Sequence, residues 1–298
     1  MIRVMSAALA IVMLSLAALS ATAQQHNRSY WRGIVEDKYA VPQNESADAL
    51  ARELSGLLAS PDPELRDDLA YSILATWIHR NMLSEPTLIS LTDEWRANLK
   101  SGIGESGTNS VLLRSFSALC LSEIAKREVK APFMGARRYH DLLAEAIAYL
   151  QAERDLRGYD ATLHWIHATA HTADLLGALS DSPMLTKDEA SDILRAITGR
   201  ISTAPEVYTQ GEQDRLAAAV LSAIRRKDFD PVLFQGWLHE LQQEDSTVWT
   251  NTTVEALARY QNHNYLLQAL AVRLSLEPAS PTTEPYRKAV LQVLAERL

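Results

Sequence analysis

Three of the chain's eight histidines, His164, His167 and His171, fall within eight residues, and Asp174 follows three residues later. The segment holding them, Ala161 to Ser180, contains no lysine, arginine or glutamate, and Asp174 is its one formal charge. If the segment is helical, residues turn by about 100° each and the four side chains share a stripe roughly 80° wide. His167 and His171 at i, i+4 suit one divalent ion, with Asp174 as a third, oxygen ligand. A metalloprotease of the HExxH kind is excluded, because residues 168–170 are Ala-Thr-Ala and supply no glutamate base. An imidazole beside a carboxylate also suits metal-free acid/base chemistry. The same residues also suit a buried cluster, hydrogen-bonded to Asp174 and neighbouring helices, that stiffens a core.

Just upstream, Arg157 stands in Glu153-Arg154-Asp155-Leu156-Arg157-Gly158-Tyr159-Asp160, where one helix ends and the next approaches. It is expected to reach a helix C-terminus or pair with an acid, or else to line a groove with the histidines and hold an anionic group. Gly158 fits a left-handed, helix-ending position. Gly211-Glu212-Gln213-Asp214-Arg215 opens a helix with acids that complement its dipole.

Helices must position these residues. Apolar residues recur with a period near 3.6 at Leu50, Leu54, Leu57 and Leu58, and again at Leu69, Ile73, Leu74, Trp77 and Ile78. Further segments run over 88–99, 111–124, 139–150, 163–179, 193–201, 216–224, 232–241, 254–276 and 286–298. Alternating β-branched runs and Asn-Gly or Asp-Gly hairpin signals are missing. Breakers fall between the segments, at 102–107, 131–135, 180–183 and 228–231 and at Pro278, Pro281 and Pro285, and Thr186 to Glu189 reads as a capping box. About eleven helices with short connections predict an all-α fold of stacked antiparallel helix pairs, a HEAT-like α-solenoid or, alternatively, a closed α/α toroid. The charge-poor segment 161–180 is expected at its centre, with Ala170, Ala173 and Gly177 admitting a close neighbour.

The N-terminus reads as a cleavable leader over residues 1–23. Arg3 is followed by an apolar run from Val4 to Leu19, and Ala21-Thr22-Ala23 directs cleavage before Gln24. Its removal leaves 28 basic against 37 acidic residues, a net charge of −9. Residues 24–298 are then expected to be one exported, periplasmic or secreted domain with no stable membrane span. An acidic chain whose only basic runs are Arg137-Arg138 and Arg225-Arg226-Lys227 is a poor partner for nucleic acid or anionic lipid. A single cysteine, Cys120, excludes a disulfide framework and multi-cysteine metal sites.

Asp155-Leu156-Arg157-Gly158-Tyr159 followed by His164-Trp165-Ile166-His167-Ala168-Thr169-Ala170-His171-Thr172-Ala173-Asp174 resembles the signature block of the DUF2785 family of bacterial proteins. Residues 114–117, 211–216 and 262–266 are similar to its weaker blocks, so the resemblance runs over about 65–275. It implies an all-helical fold and a site near 155–174, in a family of unknown function. Two functions compete on this reading. One is a binding or scaffolding module for a peptide, protein or small ligand. The other is a hydrolase using His167, His171 and Asp174 as ligands of a divalent metal or as an acid/base group, with Arg157 holding an anionic substrate.

Overall fold

Side-chain caps set the start of helix after helix. Asn27, Ser46, Ser84, Thr186, Asp230 and Thr253 each accept a backbone N–H from the first turn that follows, and Thr186 with Glu189 closes the expected capping box. The computed structural model describes residues 26–278 and 280–297, and the leader expected at residues 1–23 lies outside them.

Among the described residues the chain is all-α apart from one small hairpin. In order it forms α1 Arg28–Glu36, α2 Ala47–Leu57, a π-helical segment Glu64–Tyr71 that runs into α3 Ser72–His79, α4 Glu85–Asn98, α5 Ser110–Lys130 and α6 Gly135–Ala152. After α6 come β1 Tyr159–Asp160 and β2 His164–Trp165, then α7 Ala168–Ser180, α8 Lys187–Ser202, α9 Glu212–Ile224, α10 Pro231–Asp245, α11 Val254–Leu276 and α12 Glu284–Ala295. None of the described helices is long and apolar enough to cross a membrane.

Successive neighbours form a row, α4 on α5, α5 on α7, α7 on α9, α9 on α11 and α11 on α12, while α6, α8 and α10 flank it. One apolar cluster is continuous from Trp31 to Val293, and burial of that surface is the dominant force holding the row together. Helix α7 lies between α5 and α9 and is buried nearly all round, which explains its lack of charge. Gly177 is the close approach in that packing: a Cβ there would meet the Ala219 Cα at 3.6 Å. A second, smaller apolar cluster of Val111, Leu112, Ile166 and Ala168 sits under the hairpin.

Candidate functional site

The histidine segment does not form the single helix its periodicity predicts. Asp160 Oδ1 accepts the N–H groups of Thr162 and Leu163, both at 2.8 Å, and turns the chain back on itself. Tyr159 then stands opposite Trp165 and Asp160 opposite His164 in an antiparallel pair. His164 and His167 adopt left-handed backbone conformations, with φ of 57° and 48°, so α7 cannot begin before Ala168. The expected stripe of four is thereby corrected: only His171 and Asp174 share the helix.

Packing from far upstream overrides the local helical pattern. The Ile166 N–H donates to the Gly158 carbonyl at 2.8 Å, closing the hairpin base. Arg66, fully buried in the π-helical segment, donates Nη2 to the carbonyls of Leu163 at 2.6 Å and Trp165 at 3.2 Å, and Nη1 to the Ser60 carbonyl at 2.9 Å. Its guanidinium lies 4.7 Å from the centre of the Phe116 ring. From there a file of rings leads outward: Phe116, His171 at 5.1 Å, His167 at 5.9 Å, Trp165 at 4.4 Å and Tyr159 at 4.9 Å, each measured from the ring before it. Trp165 and Tyr159 end the file at the surface, each 44% exposed.

Each candidate side chain has its own partner. His171 Nδ1 is 2.8 Å from Ser115 Oγ, whose one proton goes to the Ile166 carbonyl. The hydroxyl therefore accepts, which assigns the His171 proton to Nδ1 and leaves Nε2 bare. Burial, followed by the proximity of His167 and Arg215, pushes the His171 pKa down to about 3, so the ring is neutral at physiological pH. His167 Nε2 is 3.1 Å from the Gln210 carbonyl and 3.5 Å from Glu212 Oε1. Burial lowers its pKa, against the pull of Glu212. Asp174 Oδ2 receives Arg215 Nη1 at 2.6 Å, and burial raises its carboxyl pKa in spite of that arginine.

Thus His171 does not pair with Asp174, and the expected metal ligands are divided among Ser115, Gln210 with Glu212, and Arg215. Among the described residues no group of three or more His, Cys, Asp or Glu side chains is placed to hold a metal ion.

Arg157 pairs with an acid. Its Nε and Nη2 bond the buried Asp155 carboxylate at 2.9 and 2.6 Å, and Nη2 also donates to the Thr108 carbonyl at 2.7 Å. Asp155 accepts the Gly107 N–H at 3.0 Å as well, so the pair pins the glycine-rich loop before α5.

These residues lie inside a stretch, 99–272, that matches the family described as Protein of unknown function (DUF2785). The chain belongs to this family. No curated protein and no solved structure gives a match.

Within this DUF2785 chain the loop before the hairpin and the loop before α9 enclose a cleft of about 420 Å³. Arg154, Arg157 and Tyr159 line one wall, and Glu206, Tyr208 and Gln210 line the other. Gly158 joins the walls. It lacks the left-handed conformation expected of it, and α6 already ends at Ala152. Glycine is needed there because Gln210 and Glu212 press on its Cα, so that any Cβ would overlap both carbonyl-bearing side chains.

Below the cleft is a buried polar network. Arg114 and Glu153 form a two-pronged ion pair, Nε to Oε2 at 2.7 Å and Nη2 to Oε1 at 3.1 Å, with both side chains buried. Arg200 donates to the Glu153 carbonyl and to Thr169 Oγ1, which contacts the Tyr208 hydroxyl at 3.3 Å. The walls are therefore tied to the core. Arg66 and Arg200 carry no mark in the sequence, because an arginine in a helix reads as a surface residue until its tertiary acceptors are known.

Proposed function

We propose that the protein is a binding module, carried on stacked helix pairs, whose ligand seats in the cleft between residues 154–159 and 205–212. The observation that carries this reading is the cleft itself. Its volume is in the range of ligand sites, and its rim offers charges of both signs, from Arg154 and Glu206, beside the exposed Tyr159 ring. Such a rim suits a peptide or another small ligand that carries both charges. The buried ion pair of Arg114 with Glu153 and the Arg200 bonds fix the walls in advance, which reduces the ordering cost of binding. His171, Asp174 and Arg157 are each engaged by a protein partner, which supports binding over a catalytic role for them.

Thermal shift against free amino acids, dipeptides and tripeptides tests the reading. A ligand at about a hundred times its Kd adds about 2.7 kcal/mol, several degrees in Tm for a chain of this length. The shift should vanish in Tyr159→Ala. Failure of every compound, or an equal shift in that variant, overturns the proposal. The proposal includes export, for which the apolar run and Ala-Thr-Ala of residues 1–23 are the support. Envelope-fraction protein should begin at Gln24, and recovery of the full-length chain from the cytoplasm would contradict export.

A further inference from the structure

The wall of the cleft formed by residues 206–209 distributes its backbone bonds in alternation. Asn262, buried in α11, accepts the Tyr208 N–H on Oδ1 at 2.9 Å and donates Nδ2 to the Glu206 carbonyl at 3.0 Å. Gln213 Nε2 donates to the Tyr208 carbonyl at 3.2 Å. The even-numbered residues thus turn inward, and side-chain amides occupy the place of a neighbouring strand. Val207 and Thr209, the odd-numbered pair, have no hydrogen-bond partner for their N–H or C=O groups among the described residues. Both reach solvent.

Alternate residues of an extended chain direct their N–H and C=O groups to opposite edges, so this pattern is that of a short strand paired on one side and free on the other. Val-Tyr-Thr is also a sequence of strand formers.

Two cavities flank this edge. On one side is the polar cleft. On the other, sharing Pro205, Glu206 and Val207 as a wall, is an apolar groove of about 480 Å³ faced by Trp249, Val254, Leu257 and Tyr260. Trp249 and Val254 are 70% and 73% exposed, and an adjoining apolar set of this kind marks an interaction surface.

We infer that the edge at Val207 and Thr209 takes an extended peptide by strand addition, placing a polar or charged side chain in the cleft and an apolar one in the groove. The inference rests on the cleft being a binding site and names its ligand class. A polypeptide backbone presents paired donors and acceptors about 6.8 Å apart at alternate residues, the spacing that two free residues separated by one require. Asn262 is then a positioning residue that keeps the edge straight and open.

The test uses a library of acetyl- and amide-capped hexapeptides with one aromatic or branched aliphatic residue, followed by amide hydrogen exchange of the protein. A bound peptide should slow exchange at Val207 and Thr209 by about tenfold or more and leave Tyr208 unchanged. N-methylating the peptide at alternate amides should abolish binding in one register and spare it in the other. Trp249→Ala, a change at an exposed side chain, should weaken the selected peptides. Peptides that perturb Tyr159 and Arg157 yet leave Val207 and Thr209 unprotected, with both methylation registers binding equally, overturn strand addition while the cleft stands as a binding site. Binding of free amino acids without any capped peptide has the same meaning. Absence of binding by either kind of compound overturns both readings.

Discussion

His171 makes the fold sensitive to mild acid. Its ring is buried against Ser115 and Phe116 and titrates near 3, against about 6.5 in an unfolded chain. Between those values the unfolded chain holds a proton that the folded protein refuses, so stability is complete above pH 6.5 and falls as the pH drops. From pH 7.5 to pH 5 the loss due to this ring is about 2 kcal/mol, since each unit of pH well below 6.5 costs about 1.4 kcal/mol. His171→Gln keeps an amide that can donate to Ser115 and removes the titration. Urea unfolding of parent and variant at pH 7.5, 6 and 5 isolates the effect, because the other titrating groups, His167 among them, are common to both. The parent's advantage should shrink by about 2 kcal/mol across the series. A gap independent of pH would show that His171 is not a buried neutral ring, and the reasoning would be refuted.

Asp67 acts with the opposite sign: burial raises its carboxyl to about 6 despite Arg66, so stability falls as the pH rises from about 4 to 6. Asp67→Asn should therefore gain about 3 kcal/mol at pH 7.5 and little at pH 4, read by the same urea series. Two glycines should separate cleanly in thermal unfolding. Gly158→Ala forces Gln210 and Glu212 aside and should cost about 1–3 kcal/mol, whereas Gly177→Ala makes an ordinary contact with Ala219 inside a helix and should be neutral or gain up to about 1 kcal/mol. Arg114→Met strands Glu153 without its cation and should lower unfolding free energy by about 3–5 kcal/mol.

Features encoded within one or two helical turns were legible in the sequence. The capping box at Thr186, the central placement of the charge-poor helix and the small face at Gly177 all follow from local spacing. The pairing of Arg157 with an acid also lay within two residues, at Asp155. What escaped reading depends on distant partners. The hairpin 159–165 is closed by Asp160 and fastened by Arg66, nearly a hundred residues upstream, so the helical period across 161–167 is an accident of composition. The sequence around Gly158 suggests backbone freedom, whereas its role is steric and set by the loop before α9. The geometry of this stretch therefore departs from its helical spacing: neighbours in sequence, His167, His171 and Asp174 answer to three separate partners.

The attachment of the hairpin to Arg66 also bears on the order of folding. The carbonyls of Leu163 and Trp165 emerge during synthesis long after the arginine that donates to them. A π-helical segment already packed on α2 and α3 can act as a template, and the hairpin closes onto it at a large cost in loop entropy. Residues 99–272, the stretch common to the family, thus complete their surface loop with a side chain from outside it. In this chain the N-terminal helices supply, from the same polypeptide, the buried cation on which the hairpin beside the cleft is fastened.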